Sequence, residues 1–154
     1  MATQENTHPI MVAQYLNSFQ GHPAFRDELI DGRIVMTPQP KPLHQHICKN
    51  VQRLLDAICE GTDYIVNGDS NIELTPFDMP APDVFVVRAT AWEEAMRAGE
   101  YLCTPPLLAV EILSPGQEVQ EKVRLYLSAG VDAVWVVYPS TRATLVYAGL
   151  EKKP

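Results

Sequence analysis

The chain has 154 residues, 46% hydrophobic and 20% charged, the proportions of an ordinary globular domain with enough length to bury a real core. A net charge of −7 and a pI near 5.0 count against a broad electrostatic grip on nucleic acid, which needs clustered lysine and arginine. No apolar run is long enough to span a bilayer and Met1–Pro9 is polar rather than a signal peptide, so one domain over residues 1–154, cytoplasmic and without a membrane partner, is the expectation.

In chain order, Val12, Tyr15, Leu16 and Phe19 have helical spacing, and Gly21–Pro23 closes that helix. Two short apolar pieces between Glu28 and Met36 flank Asp31-Gly32, a strong hairpin signal. Leu43, Ile47, Val51, Leu54, Leu55 and Ile58 predict one long helix over residues 43–60 with a single apolar stripe, ended by Gly61. Tyr64–Asn67 and Asn71–Thr75 read as two strands joined by a Gly68-Asp69 turn. A proline-rich connector, Pro76–Pro82, then delivers the chain to Asp83, which opens the strand-like run ending at Val87; Trp92–Ala98 reads as a short helix.

Leu107–Leu113 is apolar except for Glu111, and prolines bound it on both sides. Such a run predicts a buried strand, on which Leu107, Ala109, Glu111 and Leu113 share one face. An ionised carboxylate placed there costs several kcal/mol unless a cation or metal pairs with it. The next helix, Glu118–Ala129, gathers Val119, Val123, Tyr126 and Leu127 on one face, and Lys122 falls inside that arc. Val131–Tyr138 and Ala143–Tyr147 complete the chain as strands, with Trp135 and Tyr126 expected in the core. Cys48, Cys59 and Cys103 form no metal-ligand spacing. Cys48 and Cys59 would lie roughly 16 Å apart along one helix, too far for a disulfide, so reduced thiols are expected. His44 reads as a surface or helix-start residue.

Asp83 and Glu111, on neighbouring buried strands, can hold one hard divalent cation such as Mg²⁺ or Mn²⁺, with places left for water and a phosphate oxygen. A lysine nearby can orient the water or neutralise the phosphate. Glu28-Leu-Ile-Asp-Gly, Pro82-Asp83-Val-Phe-Val-Val, Pro106-Leu-Leu-Ala-Val-Glu111-Ile-Leu-Ser-Pro, Glu121-Lys122-Val-Arg-Leu-Tyr126, Ala129-Gly130-Val131 and Trp135-Val-Val-Tyr-Pro139 follow one order. In that order they resemble the Uma-type family of endonucleases, related to the PD-(D/E)xK restriction endonucleases, over residues 15–147.

The resemblance implies an α/β (α+β) fold, a mixed sheet flanked by helices. It also implies a Mg²⁺-dependent phosphodiesterase acting on nucleic acid, DNA above all. In that reading Asp83 and Glu111 bind metal, Glu28 completes the site, and Lys122 takes the role of a lysine displaced onto the helix. His44-Gln45 matches a pair common at the start of the family's long helix. Two departures stand out: Arg33 occupies a position where the hairpin usually carries Glu, and the loop before Lys122 is short. Cutting two strands suggests a homodimer. The alternative is a catalytically inert binding or assembly module that keeps the fold.

Overall fold

Asp31 and Gly32 decide the first piece of tertiary structure. Both adopt positive φ, 50° and 68°, the backbone a two-residue type I′ loop requires. Strand β1 (Phe25–Ile30) therefore turns directly into β2 (Arg33–Pro38), paired antiparallel from Ile30 with Arg33 out to Phe25 with Pro38. Helix α1 (Val12–Ser18) covers this ribbon, packing Val12 and Tyr15 against Leu29 and Met79. The structure, a computed structural model, describes residues 8–149; of the polar stretch Met1–Pro9, residues 1–7 lie outside it.

Five further strands make the main sheet, in the order β3 (Tyr64–Asn67), β4 (Val84–Arg88), β5 (Leu108–Ile112), β6 (Ala133–Tyr138) and β7 (Ala143–Ala148). Every neighbouring pair is antiparallel except β5 and β6, which run parallel and are joined through helix α4 (Gln120–Ser128). Helix α3 (Ala89–Ala98) follows β4 without a break and ends on Gly99 in the left-handed conformation. The mixed sheet flanked by helices is the predicted fold class.

Side-chain alternation divides the core between the two faces of the sheet. Val84, Val86, Leu108, Val110 and Ile112 face helix α2 (Pro42–Cys59), which begins with proline at its first turn, where no N–H is needed. On the other face Ala109, Val134 and Val136 meet Val119, Val123 and Tyr126 around α4, while Phe85 and Val87 meet Ile72 and Leu102. Every residue of β5 is buried, as its apolar composition predicts.

Two expectations need correction. The buried face of α2 consists of Leu55 with Ile47, Cys48, Val51 and Cys59 at its margins, whereas Leu43, Leu54 and Ile58 are exposed. The helix packs chiefly on β3, β4 and β5, and Leu43, Leu54 and Ile58 lie on the part of its stripe that these strands leave uncovered. Asn71–Thr75 is not a strand. The N–H of Ile72 donates to the Pro80 carbonyl and that of Leu74 to the Asp78 carbonyl. Pro80 and Pro82 have no N–H to return, so pairing across this fold-back stops at the single Thr75–Asp78 bridge. Among the described residues no helix is long and apolar enough to cross a membrane.

Candidate active site

The fold brings four elements to one end of the sheet. Val84 pairs with Val110, so continuing the register by one residue sets Asp83 across from Glu111. Helix α4 supplies Lys122 from above Glu111, and the ribbon supplies Glu28 from β1. The ribbon is held there by reciprocal backbone hydrogen bonds between Leu29 and Met79, at 3.3 and 2.7 Å. Asn71 Nδ2 adds bonds to the carbonyls of Asp27 and Met79. The connector is thus a structural strap, and its Ala81 N–H donates to Glu28 Oε1 at 2.6 Å.

Lys122 lies between two carboxylates. Its Nζ is 2.8 Å from Glu28 Oε1 and 2.7 Å from Glu111 Oε1, and all three residues are buried. Tyr126, one helical turn beyond Lys122, donates its hydroxyl to the same Glu111 oxygen at 2.6 Å. Burial drives the Glu111 carboxyl up to about 7, against the pull of the Lys122 charge. Burial also works against the Lys122 ammonium, but Glu111 and Glu28 outweigh it and hold the lysine protonated beyond its ordinary range. Burial likewise raises the Tyr126 phenol, so it remains a donor. The short loop before α4 does not keep Lys122 from the acids.

Asp83 has a separate set of partners. Its Oδ2 accepts from the Ile112 N–H at 2.8 Å and lies 3.3 Å from His44 Nε2, and its Oδ1 is 3.3 Å from Arg26 NH1. Burial would disfavour its charge, but the hydrogen bonds from His44 and Ile112 outweigh that penalty and lower its pKa. The same hydrogen bond raises His44, with burial opposing. Arg26 is anchored on its far side by Asp69, 3.1 Å away. Gly68 fixes the backbone here, since a Cβ at that position would stand 2.4 Å from the Asp83 carbonyl oxygen and 2.7 Å from Gln52 Nε2. Gly68→Ala is therefore expected to cost about 1–3 kcal/mol by forcing Asp83 away. A urea midpoint equal to that of the wild type would show that the two segments separate freely.

Sequence patterns alone miss three participants. His44 does stand in the first turn of α2, as its position suggests, but its ring is turned inward onto Asp83. Its i, i+4 spacing to Cys48 is the available signal, and Cys48 Sγ lies 3.6 Å from His44 Nδ1. Arg26 precedes Glu28 by two residues on a strand, hence on the same face. Tyr126 is fully buried as expected for core, but its hydroxyl belongs to the site. Arg33, in place of the family's Glu, forms an exposed ion pair with Glu121.

Whether these residues suit a divalent ion follows from their donors. Asp83, Glu111 and Glu28 offer hard carboxylate oxygens at one end of the sheet, although the three do not come within 4.8 Å of one another. Only Oε1 of Glu111 and of Glu28 takes a protein hydrogen bond, and no buried side-chain oxygen lacks a partner among the described residues. The Oε2 atoms take no protein hydrogen bond, so the donor chemistry of Asp83 and Glu111, on paired strands, suits a hard ion, with Glu28 nearby.

A mixed sheet with a buried acid–lysine–acid chain and a further aspartate at the ends of adjacent strands has the architecture of the restriction-endonuclease-like proteins. The chain belongs to the Uma2 family, described as a putative restriction endonuclease, whose model matches residues 12–151. Among solved structures it is similar to a putative nuclease belonging to DUF820 from Anabaena variabilis, with 21% identity and a TM-score of 0.77 over 94% of this chain and 82% of that one. At that identity the likeness establishes a shared fold. No curated protein matches the sequence.

Proposed function

We propose that the chain is a divalent-metal-dependent endonuclease that hydrolyses phosphodiester bonds of nucleic acid, with DNA the first substrate to test. The observation that carries this reading is the buried Glu28–Lys122–Glu111 chain next to Asp83. Four ionisable groups withheld from water at one end of the sheet cost stability, and such arrangements concentrate at functional sites. Asp83 and Glu111 would hold Mg²⁺ or Mn²⁺, assisted by Glu28. When bound, the ion supplies a more acidic water and positive charge for the phosphate. Lys122, kept protonated by its two carboxylates, acts as a donor and a positive charge rather than as a base. Tyr126 keeps one Glu111 oxygen engaged and orients the carboxylate.

Two strands would be cut by paired subunits or by rebinding of one. The test is cleavage of supercoiled and linear DNA with Mg²⁺ or Mn²⁺, alongside calorimetric titration of each metal. Glu111→Gln is expected to reduce cleavage at least ~100-fold, and Asp83→Ala to remove metal binding. Wild-type protein that binds neither ion and cuts no nucleic acid would refute the reading.

One observation favours an inert assembly module instead. Leu43, Leu54, Ile58 and Val146 are exposed on the same side of the sheet as the half-buried Trp135, leaving apolar surface uncovered. For such a module, Glu111→Gln would change stability and nothing else.

A further inference from the structure

Among the described residues, one group of three His, Cys, Asp or Glu side chains comes close enough to hold a single ion, and it differs from the acid pair of the family's chemistry. We propose that His44, Cys48 and Asp83 form a site for one borderline divalent ion of the zinc or cobalt kind, with a fourth position left for water or a phosphate oxygen. The ligand atoms all lie within 4.8 Å of one another. His44 and Cys48 project from consecutive turns of α2, and Asp83 approaches from the sheet.

The three ligands need only a small closing movement to meet one tetrahedral ion. Bonds of about 2.0–2.3 Å separate tetrahedral ligand atoms by roughly 3.3–3.8 Å. His44 Nε2 and Asp83 Oδ2 are 3.3 Å apart and Cys48 Sγ is 3.6 Å from the other ring nitrogen, Nδ1; an ion takes one of the two nitrogens, with the three ligand atoms then within 4.8 Å of one another. The element mix selects the metal class. Magnesium takes oxygen ligands and discriminates against sulfur, whereas a nitrogen, sulfur and oxygen set suits zinc and cobalt. Three protein ligands with one open position is the pattern of reactive rather than structural zinc.

The surroundings already orient two of the ligands. The His44 side chain is 10% exposed and that of Asp83 7%. Arg26, tied to Asp69, occupies the Asp83 oxygen away from the imidazole, and the Ile112 N–H fixes the oxygen that faces it. On coordination the Cys48 S–H bond is replaced by a sulfur–metal bond and the proton leaves to solvent. The inference takes Asp83 as a ligand in common with the proposed nuclease site, on whose reading it rests only to that extent, because binding does not require hydrolysis.

The test is titration of Co²⁺, then Zn²⁺ in competition, into the full chain freed of metal. One ion per chain is expected, with a sulfur-to-cobalt charge-transfer band and the intense visible bands of a four-coordinate ion. Cys48→Ser should abolish the charge-transfer band. His44→Asn and Asp83→Asn should each weaken binding beyond the roughly 10–100-fold typical of an outer-shell partner. Cys103→Ser and His46→Asn, altering an exposed thiol and an exposed imidazole, should leave the spectrum unchanged. Cys48→Ser removes only a sulfur from a half-buried position, so it remains decisive even if His44→Asn unfolds.

A band that survives Cys48→Ser overturns the proposal, as does the absence of Co²⁺ binding. Sulfur-free binding lost in Glu111→Gln also overturns it, by placing the ion on the acids. Those outcomes leave the nuclease reading standing, since Mg²⁺-dependent cleavage is measured separately.

Discussion

Lys122→Met is expected to lower the unfolding free energy by about 3–5 kcal/mol at pH 8, the cost of stripping a buried charge set of its counter-ion. The ammonium touches both Glu28 and Glu111, at 2.8 and 2.7 Å, and among the described residues neither acid has another cation so close. Methionine fills a similar volume, so the loss measures charge rather than a cavity. The residual Tyr126 and Ala81 hydrogen bonds satisfy one oxygen on each acid but supply no positive charge. Combining Lys122→Met with Glu111→Gln should recover at least half of the loss, because the variant then buries one fewer unpaired carboxylate. Urea denaturation of the four proteins gives the coupling directly. A single-variant loss below about 1 kcal/mol would mean that the acids are solvated and that the lysine works as an ordinary surface pair. Any metal-dependent cleavage should disappear in Lys122→Met whatever the stability result.

Those contacts also mark how far the sequence could be read. Glu111 announced itself because it is the one charge in an otherwise apolar strand, and Lys122 because it interrupts a helical apolar arc. Both are violations of a pattern, and patterns are local. The Asp31-Gly32 hairpin was legible for the same reason, since two residues fix the turn and the turn fixes the register. His44 was not legible. The i, i+4 spacing to Cys48 is the one signal within α2, and it does not fix the ring on Asp83, thirty-nine residues later. The Asn71–Thr75 segment failed for a related reason: its composition suits a strand, but its partner is a proline-bearing connector that cannot complete a ladder. On α2 the apolar period was real, yet only part of that stripe found a sheet to cover, because the helix packs on β3 to β5. Where a face ends is a property of its neighbour.

In metal-free buffer the stability of Glu111→Gln relative to wild type is expected to rise by about 2–3 kcal/mol between pH 5 and pH 8. Burial pushes the folded-state carboxyl up to about 7 from an ordinary value of 4.5, with Lys122 opposing. Between those values the folded chain keeps a proton that the unfolded chain has already lost. Unfolding then releases a proton, so stability from this group is fully present below about pH 4.5 and is lost as pH rises toward 7. Asp83 runs the other way in a different window: its lowered pKa contributes stability above its ordinary value of 3.8 and loses it as pH falls further. His44, whose pKa is raised, titrates in both proteins, so the difference between them at pH 5 and 8 isolates Glu111. Glutamine has no proton to lose, and urea denaturation of both proteins in chelator should show the wild type carrying the steeper slope. Equal slopes would mean that Lys122 compensates the Glu111 charge in full and that the carboxylate is ionised throughout. If Mg²⁺ binds as proposed, saturating it should flatten the wild-type slope, because the ion then takes the place of the proton that the metal-free site recruits.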